Sequence, residues 1–356
     1  DWVLRYNGYD PDDEKLREAL CTVGNGYFAS RGAAPESRAG KYHYPGNYLA
    51  GIYNRLESVI NDRTIVNESI VNVPNCLCMT FRIEGGEWFD VDAVEIENYR
   101  KELDMRNGVL DRIVLFTDKH GRRTRLRQRR FTSMEHPHIL GLETVITPEN
   151  WSGKMQVLSE LDGGVKNSLV DRYQQLNNKH LEQIVSGSSG SDIVWMQAVT
   201  SQSQIRIAEA ARTRVKDGDD VLGARRSVVR ENDRIGHLID VPVRKGLPIH
   251  IEKICSIYSS KDRAISEPRL EAIKEVGRAG DFDYLLGEHR DIWDSLWARC
   301  MIRAETDEVM MTKILNLHLF HILQTVSMNT IDLDAGVPPR GLHGEAYRGL
   351  IMWDEL

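Results

Sequence analysis

The chain has 356 residues, 41% of them hydrophobic and 28% charged, and carries a formal net charge of −7. That length exceeds one ordinary domain and is enough to bury a large core. The negative balance excludes the clustered basic face of a nucleic-acid binder, and no apolar run approaches the roughly 20 residues of a membrane-spanning helix.

The opening Asp1-Trp-Val-Leu-Arg-Tyr-Asn7 lacks the basic start and apolar stretch of a signal peptide, although a chain that does not begin with Met is compatible with a trimmed leader. The five cysteines, Cys21, Cys76, Cys78, Cys255 and Cys300, are too sparse and too odd in number for a disulfide framework. Cys76 and Cys78 share a strand face but lack zinc-ligand spacing. The reading is a cytoplasmic protein with reduced, mostly buried thiols.

From about Thr64 to Ser260 the hydrophobic pattern has a period of two. Cys76–Ile83 reads as a strand closed by the turn Glu84-Gly-Gly-Glu87. Tyr99–Met105 and Val109–Phe116 flank Asn107-Gly108, a strong hairpin signal. Asp118-Lys-His-Gly121 turns the chain into Arg122-Arg-Thr-Arg-Leu-Arg-Gln-Arg-Arg130, whose alternation predicts a strand with a solvated arginine face. Strands follow at His138–Ile146, Met155–Leu161, Asp192–Val199, Gln204–Ile207, His237–Val241 and Ile249–Ile257. The stretch from Val165 to Ser189 is polar and reads as a long surface excursion. Many short strands without intervening helices predict antiparallel sheets packed face to face, a large sandwich.

Near Ser266 the period changes. Ser266-Glu-Pro resembles a helix start, with Ser as cap and Pro in the first turn. Phe282, Leu285, Leu286, His289, Ile292, Trp293, Leu296 and Trp297 recur at three and four residues and predict an amphipathic helix. Trp293 and Trp297 either stack a sugar or form core between that helix and the sandwich, and core is the favoured reading. Val309 to Gln324 predicts a second helix, broken by Asp334-Ala-Gly-Val-Pro-Pro339. On it His318 and His321 stand three apart, which permits a shared metal, but with no third ligand evident packing is the reading.

The last stretch, Pro338 to Leu356, packs Arg, His, Glu, Tyr, Trp and Asp among glycines. Gly and Pro set loop geometry, and loops on a rigid scaffold carry sites. A flat Trp face beside hydrogen-bonding groups suits a sugar. Trp353 is either such a face or core. Asp354 either accepts from two adjacent hydroxyls or pairs with Arg340 or Arg348. Arg340 and His343 either bind ligand or brace the loop. Glu345, Asp354 and Glu355 lie near one another, and sequence alone allows Glu345 as a catalytic acid.

Two segments carry a family resemblance: Gly24-Asn-Gly-Tyr-Phe-Ala-Ser-Arg-Gly32 with Glu36 and Tyr48-Leu-Ala-Gly-Ile-Tyr-Asn54, and Arg340-Gly-Leu-His-Gly-Glu-Ala-Tyr-Arg-Gly-Leu-Ile-Met-Trp-Asp354. The chain resembles glycoside hydrolase family 65, the family of maltose, trehalose and kojibiose phosphorylases and some trehalose hydrolases. The resemblance implies a β-sandwich over 1–262, a helical linker over 263–303 and the first part of an (α/α)6 barrel over 304–356. It implies inverting cleavage of an α-glucosyl disaccharide, by phosphorolysis to β-glucose 1-phosphate with inorganic phosphate as co-substrate, or by hydrolysis of trehalose or a related sugar. No cofactor or metal is implied, and relatives are often homodimers. Trp353 and Asp354 match residues that line the glucosyl pocket. The family's catalytic acid and phosphate loop lie beyond Leu356, which argues against Glu345 as the acid and predicts that this chain alone is inactive. A non-catalytic sugar-binding or structural module is the alternative. One departure is Leu350-Ile-Met352, where the family usually has His, a large hydrophobic residue and an aromatic.

Overall fold

The computed structural model describes residues 2–169, 177–218, 220–303, 309–331, 333, 335–338 and 341–345. In chain order the strands are β1 (Val3–Asn7), β2 (Val23–Gly24), β3 (Phe28–Ser30), β4 (Asn47–Leu49), β5 (Tyr53–Ile60), β6 (Arg63–Ile70), β7 (Met79–Ile83), β8 (Glu95–Asp104), β9 (Val109–Thr117), β10 (Arg123–Thr132), β11 (Ile139–Pro148), β12 (Gly153–Asp162), β13 (Leu181–Ser189), β14 (Ile193–Thr200), β15 (Arg206–Asp217), β16 (Asp220–Val221), β17 (Arg226–Glu231), β18 (Arg234–Val243) and β19 (Ile249–Ser259). The helices are α1 (Glu14–Leu20), α2 (Pro268–Arg278), α3 (Phe282–Cys300) and α4 (Val309–Leu323).

The protein is mainly β with a few helices. One large antiparallel sheet runs β1-β8-β9-β10-β11-β19-β15-β14-β13, with β16 added to β15, and a second runs β17-β18-β12-β7. They share one core, in which Val157, Leu161, Ile239 and Val241 of the second sheet meet Val114, Leu126, Leu142 and Ile251 of the first. Side chains alternate across a strand, so each contributes every second residue to that core.

β10 shows the alternation best. Thr124, Leu126, Gln128 and Arg130 are buried, while the other face carries Arg123, Arg125, Arg127 and Arg129. These outward arginines are paired rather than free: Arg123 with Glu97 and Glu149, Arg125 with Glu149, Arg127 with Asp111, and Arg129 with Glu143 and Asp283. The arginine stripe is thus a charge-neutralised outer surface of the sheet, as its pattern predicted.

α2 and the start of α3 cover the large sheet's outer face. Ala272 and Val276 of α2 pack on Ala210, Ile254 and Tyr258. The buried Arg212 guanidinium donates to the carbonyls of Val276, Ala279 and Gly280, capping the end of α2 where unsatisfied carbonyls concentrate negative potential. In α3 the predicted stripe is the buried face. Trp293 is fully buried and stacks on Trp297 and on Phe320 of α4, within a cluster with Leu103, Met105, Leu110 and Met134. Gly108 faces Trp293 with φ +62, and a Cβ there would collide with the indole, so the turn needs glycine both for conformation and for space. The Trp pair is therefore core.

The Asn107-Gly108 hairpin itself forms as its signal predicted, with a four-residue loop in which the Asp104 carboxylate takes the amides of Arg106 and Asn107. The tight two-residue turn is at Asn61-Asp62, both at positive φ, joining β5 to β6. Several expectations need correction. Residues 181–189, read as surface excursion, form edge strand β13. β15 extends to Asp217, far beyond Ile207. The first cap of α2 is Glu267 rather than Ser266, with Pro268 at its first position. α4 ends at Leu323, before the Asp334 to Pro339 segment, and a short 3₁₀ turn at Met328–Thr330 follows, capped by Ser327. The five thiols are free, with Cys21, Cys76 and Cys255 buried, Cys78 partly buried and Cys300 exposed. Among the described residues no helix is long and apolar enough to cross a membrane.

Trp293→Ala should cost about 3–5 kcal/mol in urea unfolding, because it empties the space between α3, α4 and the sandwich. Tyr284→Ala, on the exposed side of the same helix, should cost under about 1 kcal/mol.

Candidate functional site

The loop after α4 folds back onto the beginning of the chain. Its first tie is the glycine turn at Gly24-Asn25-Gly26. Asn25 is buried, and its amide donates to the carbonyls of Ser133 and Pro137 while its side-chain oxygen accepts from the amides of Tyr27 and Phe28. Its own carbonyl accepts from Ser327 Oγ at 2.5 Å and Asn329 Nδ2 at 2.9 Å. Gly26 has φ +88 and abuts Ser327 so closely that any side chain would collide. Asn25 thus stabilises the sandwich, and its backbone receives the loop.

The second tie is Arg31. Its guanidinium donates to the carbonyls of Tyr44 (3.0 Å), His343 (2.7 Å) and Lys15 (2.8 Å), a rigid fork that suits three separate acceptors. Leu342 is buried beside Ala29, Tyr48, Ala50 and Ile70. His343 has its ring beside that of His321, and burial holds both imidazoles down at about 4, so both are neutral at pH 7. His321 lies near the carbonyl of Leu20 at 3.2 Å and contacts Gln324 at 2.9 Å, a packing role. His343 braces the loop through its backbone.

The third tie is Glu345, which is 3% exposed. Its Oε1 lies against the hydroxyl of Tyr44 and 3.2 Å from that of Tyr48, and its Oε2 accepts from the amide of Leu169 at 3.0 Å. Burial pushes its carboxyl up to about 7, against the opposing pull of Tyr44, the Leu169 amide, Tyr48 and Arg31. A carboxyl surrounded by protein groups on both oxygens is a joint between loop and sandwich. The sequence reading sets Glu345 behind an acid beyond Leu356, and both its oxygens here meet protein groups. Arg340, Arg348, Trp353 and Asp354 lie outside the described residues, as does the Leu350-Ile-Met352 departure.

The structure also assembles a cluster that sequence reasoning passed over. Ligand-type atoms of Glu14, Glu18 and His43 lie within 4.8 Å of one another. They are engaged with protein partners: Glu18 meets His43 Nδ1 at 2.8 Å and accepts the Tyr44 amide, and Glu14 pairs with Lys101 at 2.5 Å. Burial lowers the His43 imidazole, but Glu18 and Asp92 outweigh it and the net direction is upward. In this network Lys101 pairs with Glu14, and His43 lies between Glu18 and Asp92. Its signal was the run Lys41-Tyr-His-Tyr-Pro-Gly-Asn-Tyr48, dense in aromatic hydroxyls and a histidine.

Comparison with known proteins decides the family. The description "Glycosyl hydrolase family 65, N-terminal domain" matches residues 4–296, and "Glycosyl hydrolase family 65 central catalytic domain" matches residues 316–356. The chain belongs to glycosyl hydrolase family 65. An uncharacterized glycosyl hydrolase of Mycobacterium tuberculosis is 47% identical over the whole chain, which covers 27% of that protein. A kojibiose phosphorylase of Thermoanaerobacter brockii is 28% identical over 99% of the chain, and a trehalose 6-phosphate phosphorylase of Lactococcus lactis is 29% identical over all of it. The chain spans 44% of each of these two. A solved structure from human microbiome, provisionally named a kojibiose phosphorylase, superposes with a TM-score of 0.82 at 17% identity, over 99% of this chain and 45% of that one. The family 65 chain thus spans less than half of each of these relatives.

Replacing Arg31 by Ala should cost about 2–4 kcal/mol, since it strands three carbonyls in a dry interface. Urea unfolding measures this, and limited proteolysis should cut the 341–345 region faster in the variant.

Proposed function

We propose that this chain is the N-terminal part of an enzyme that cleaves an α-glucosyl disaccharide with inversion, by phosphorolysis to β-glucose 1-phosphate. The observation that carries this reading is its similarity over 99–100% of its length to kojibiose and trehalose 6-phosphate phosphorylases. In phosphorolysis inorganic phosphate attacks the anomeric carbon from the face opposite the leaving sugar. One protein carboxylic acid then suffices, to protonate the leaving oxygen. That acid is expected beyond Leu356. Within the chain, Trp353 and Asp354 line the glucosyl pocket: the indole covers a C–H face, and the carboxylate accepts from two hydroxyls. Arg340 and His343 are the further residues proposed to bind ligand or to brace the loop.

The domain reading is a sandwich over 1–262, a linker over 263–303 and the start of an (α/α)6 barrel over 304–356. α4 supports it. Phe320 is buried against the sandwich side, yet Met310, Met311, Ile314 and Ile322 are exposed. A helix apolar on all sides is a buried helix, and further barrel helices would cover these groups. Hydrolysis is the second reading, favoured by the name of the mycobacterial relative.

The test is sugar release from kojibiose, trehalose and trehalose 6-phosphate by the full-length parent, with and without phosphate. Phosphate-dependent formation of β-glucose 1-phosphate is expected; release unchanged without phosphate would sink phosphorolysis. Asp354→Ala should lower kcat/KM at least about 100-fold, the loss of two charge-assisted hydrogen bonds. The 356-residue chain alone should release no sugar.

A further inference from the structure

The hydrogen bonds around Tyr44 and Glu345 contain one proton too few. The Tyr44 hydroxyl sits 2.8 Å from the carbonyl oxygen of Lys166, which can only accept, and also against Glu345 Oε1. The amide of Ser168 donates to the same hydroxyl at 3.0 Å, and Asn72 Nδ2 approaches it at 3.3 Å. A phenol has one proton to give. If Glu345 is ionised, Tyr44 faces two acceptors with that one proton, and one close oxygen pair is left without hydrogen between them. Asn72 Nδ2 also reaches the Lys166 carbonyl at 3.3 Å, so the cost is two oxygens held close with no hydrogen between them rather than an acceptor left bare. A proton on Glu345 Oε1 resolves the count: Glu345 donates to Tyr44, Tyr44 donates to Lys166, and the Ser168 amide fills a lone pair of the phenol. Glu345 Oε2 then behaves as a carbonyl oxygen that accepts the Leu169 amide.

We propose that Glu345 is a neutral carboxylic acid donating to Tyr44, and that this joint is the positioning element that fixes the loop after α4 on the sandwich. Among the described residues, the titratable and charged groups facing it are Tyr44, Tyr48 and Arg31. Burial holds both phenols protonated. Arg31 spends its donors on three backbone carbonyls and makes no ion pair with Glu345 among the described residues. Among the described residues no cation pairs with this carboxyl, which agrees with its rise to about 7 by burial. The same joint gathers Lys166, Ser168 and Leu169, so one carboxyl ties together the start of the chain, the segment at 166–169 and the loop after α4. That the loop carries Trp353 and Asp354 toward a glucosyl pocket rests on the function proposed above; the protonated joint does not.

The sign of the pH effect follows. The folded state holds the proton more tightly than the unfolded chain, whose glutamate titrates near its ordinary 4.5. The contribution to stability is complete below about pH 4.5, is lost as pH rises toward 7, and stays lost above it. Over that interval the folding equilibrium constant should fall roughly a few-hundred-fold through this group.

The experiment uses the 356-residue chain and Glu345→Gln, which keeps a donor for Tyr44 and an acceptor for Leu169 but cannot ionise. Infrared spectroscopy at pH 6 should show a protonated-carboxyl band that Glu345→Gln lacks. In urea unfolding from pH 4.5 to 8, the variant's stability relative to wild type should rise with pH up to about 7 and then level off. Tyr44→Phe should lower stability at every pH. A missing band, or a Glu345→Gln variant that loses stability relative to wild type as pH rises, would overturn the proposal. Sugar release by the parent is a separate readout, so phosphorolysis can fail while the joint stands.

Discussion

Three cations buried on the inner face of the large sheet dictate where the beginning of the chain must lie. Lys101, Arg112 and Arg130 project from β8, β9 and β10 and are at most 4% exposed. An unpaired charge in such a place is prohibitive, and removing one partner of a buried pair costs several kcal/mol. The partners come from the N-terminal segment: Glu14 pairs with Lys101, Glu36 with Arg112 at 2.7 Å, and the carbonyls of Ala33 and Arg31 take the Arg130 guanidinium. This end of the sheet is covered by a polar lid whose position is fixed by charge. Arg31, His43, Tyr44 and Tyr48 all belong to that lid or its continuation, so the groups that receive the terminal loop are set by the same pairing.

Where the hydrophobic period was clean, the fold was legible. β9, β10, β11 and β19 have strong alternation because one face meets the core and the other meets water or helices. β15 was mostly illegible, since Ala208-Glu-Ala-Ala-Arg-Thr-Arg214 has the composition of a helix. It is a strand because its neighbours β14 and β19 pair along its length and α2 covers its outer face, where small residues allow close approach. Tertiary context overrides propensity in such cases. β13 was hidden for the opposite reason: an edge strand with a polar outer face carries little apolar signal. The Asn61-Asp62 turn carried its signal in two residues that favour positive φ, but the flanking strands hold exposed valines and arginines that blur the pattern.

The site was legible in its parts and not in its wiring. The terminal segment announced itself by composition, and the two motifs pointed to the right family. What sequence spacing could not give is that Glu345 is matched to Tyr44, about 300 positions earlier, or that His343 acts through its carbonyl while its ring stays neutral. A glutamate near a Trp-Asp pair in sequence has the chemistry of an acid catalyst, and spacing alone does not show that its oxygens meet Tyr44, Tyr48 and the Leu169 amide. Likewise Glu14, Glu18 and His43 have ligand chemistry, yet Glu14 already pairs with Lys101, and Glu18 is engaged by His43 and the Tyr44 amide.

The three ties that hold the loop after α4 all join residues about 300 positions apart: Ser327 and Asn329 with Asn25, His343 with Arg31, and Glu345 with Tyr44. Such contacts are rewarded only after a long closure entropy has been met. The acceptors and donors they need sit on a lid that exists only once β8, β9 and β10 have formed and buried their cations. Seating of the loop thus depends on a surface that those strands assemble. A neutral carboxyl–phenol joint suits that step better than an ion pair. It is directional, so it selects one seating of the loop, and it avoids stripping water from a full charge at the moment of docking. The sandwich thus acts as the template on which the terminal segment is set, and the chemistry of that template is written in hydroxyls and backbone carbonyls rather than in the charges that hold the lid itself.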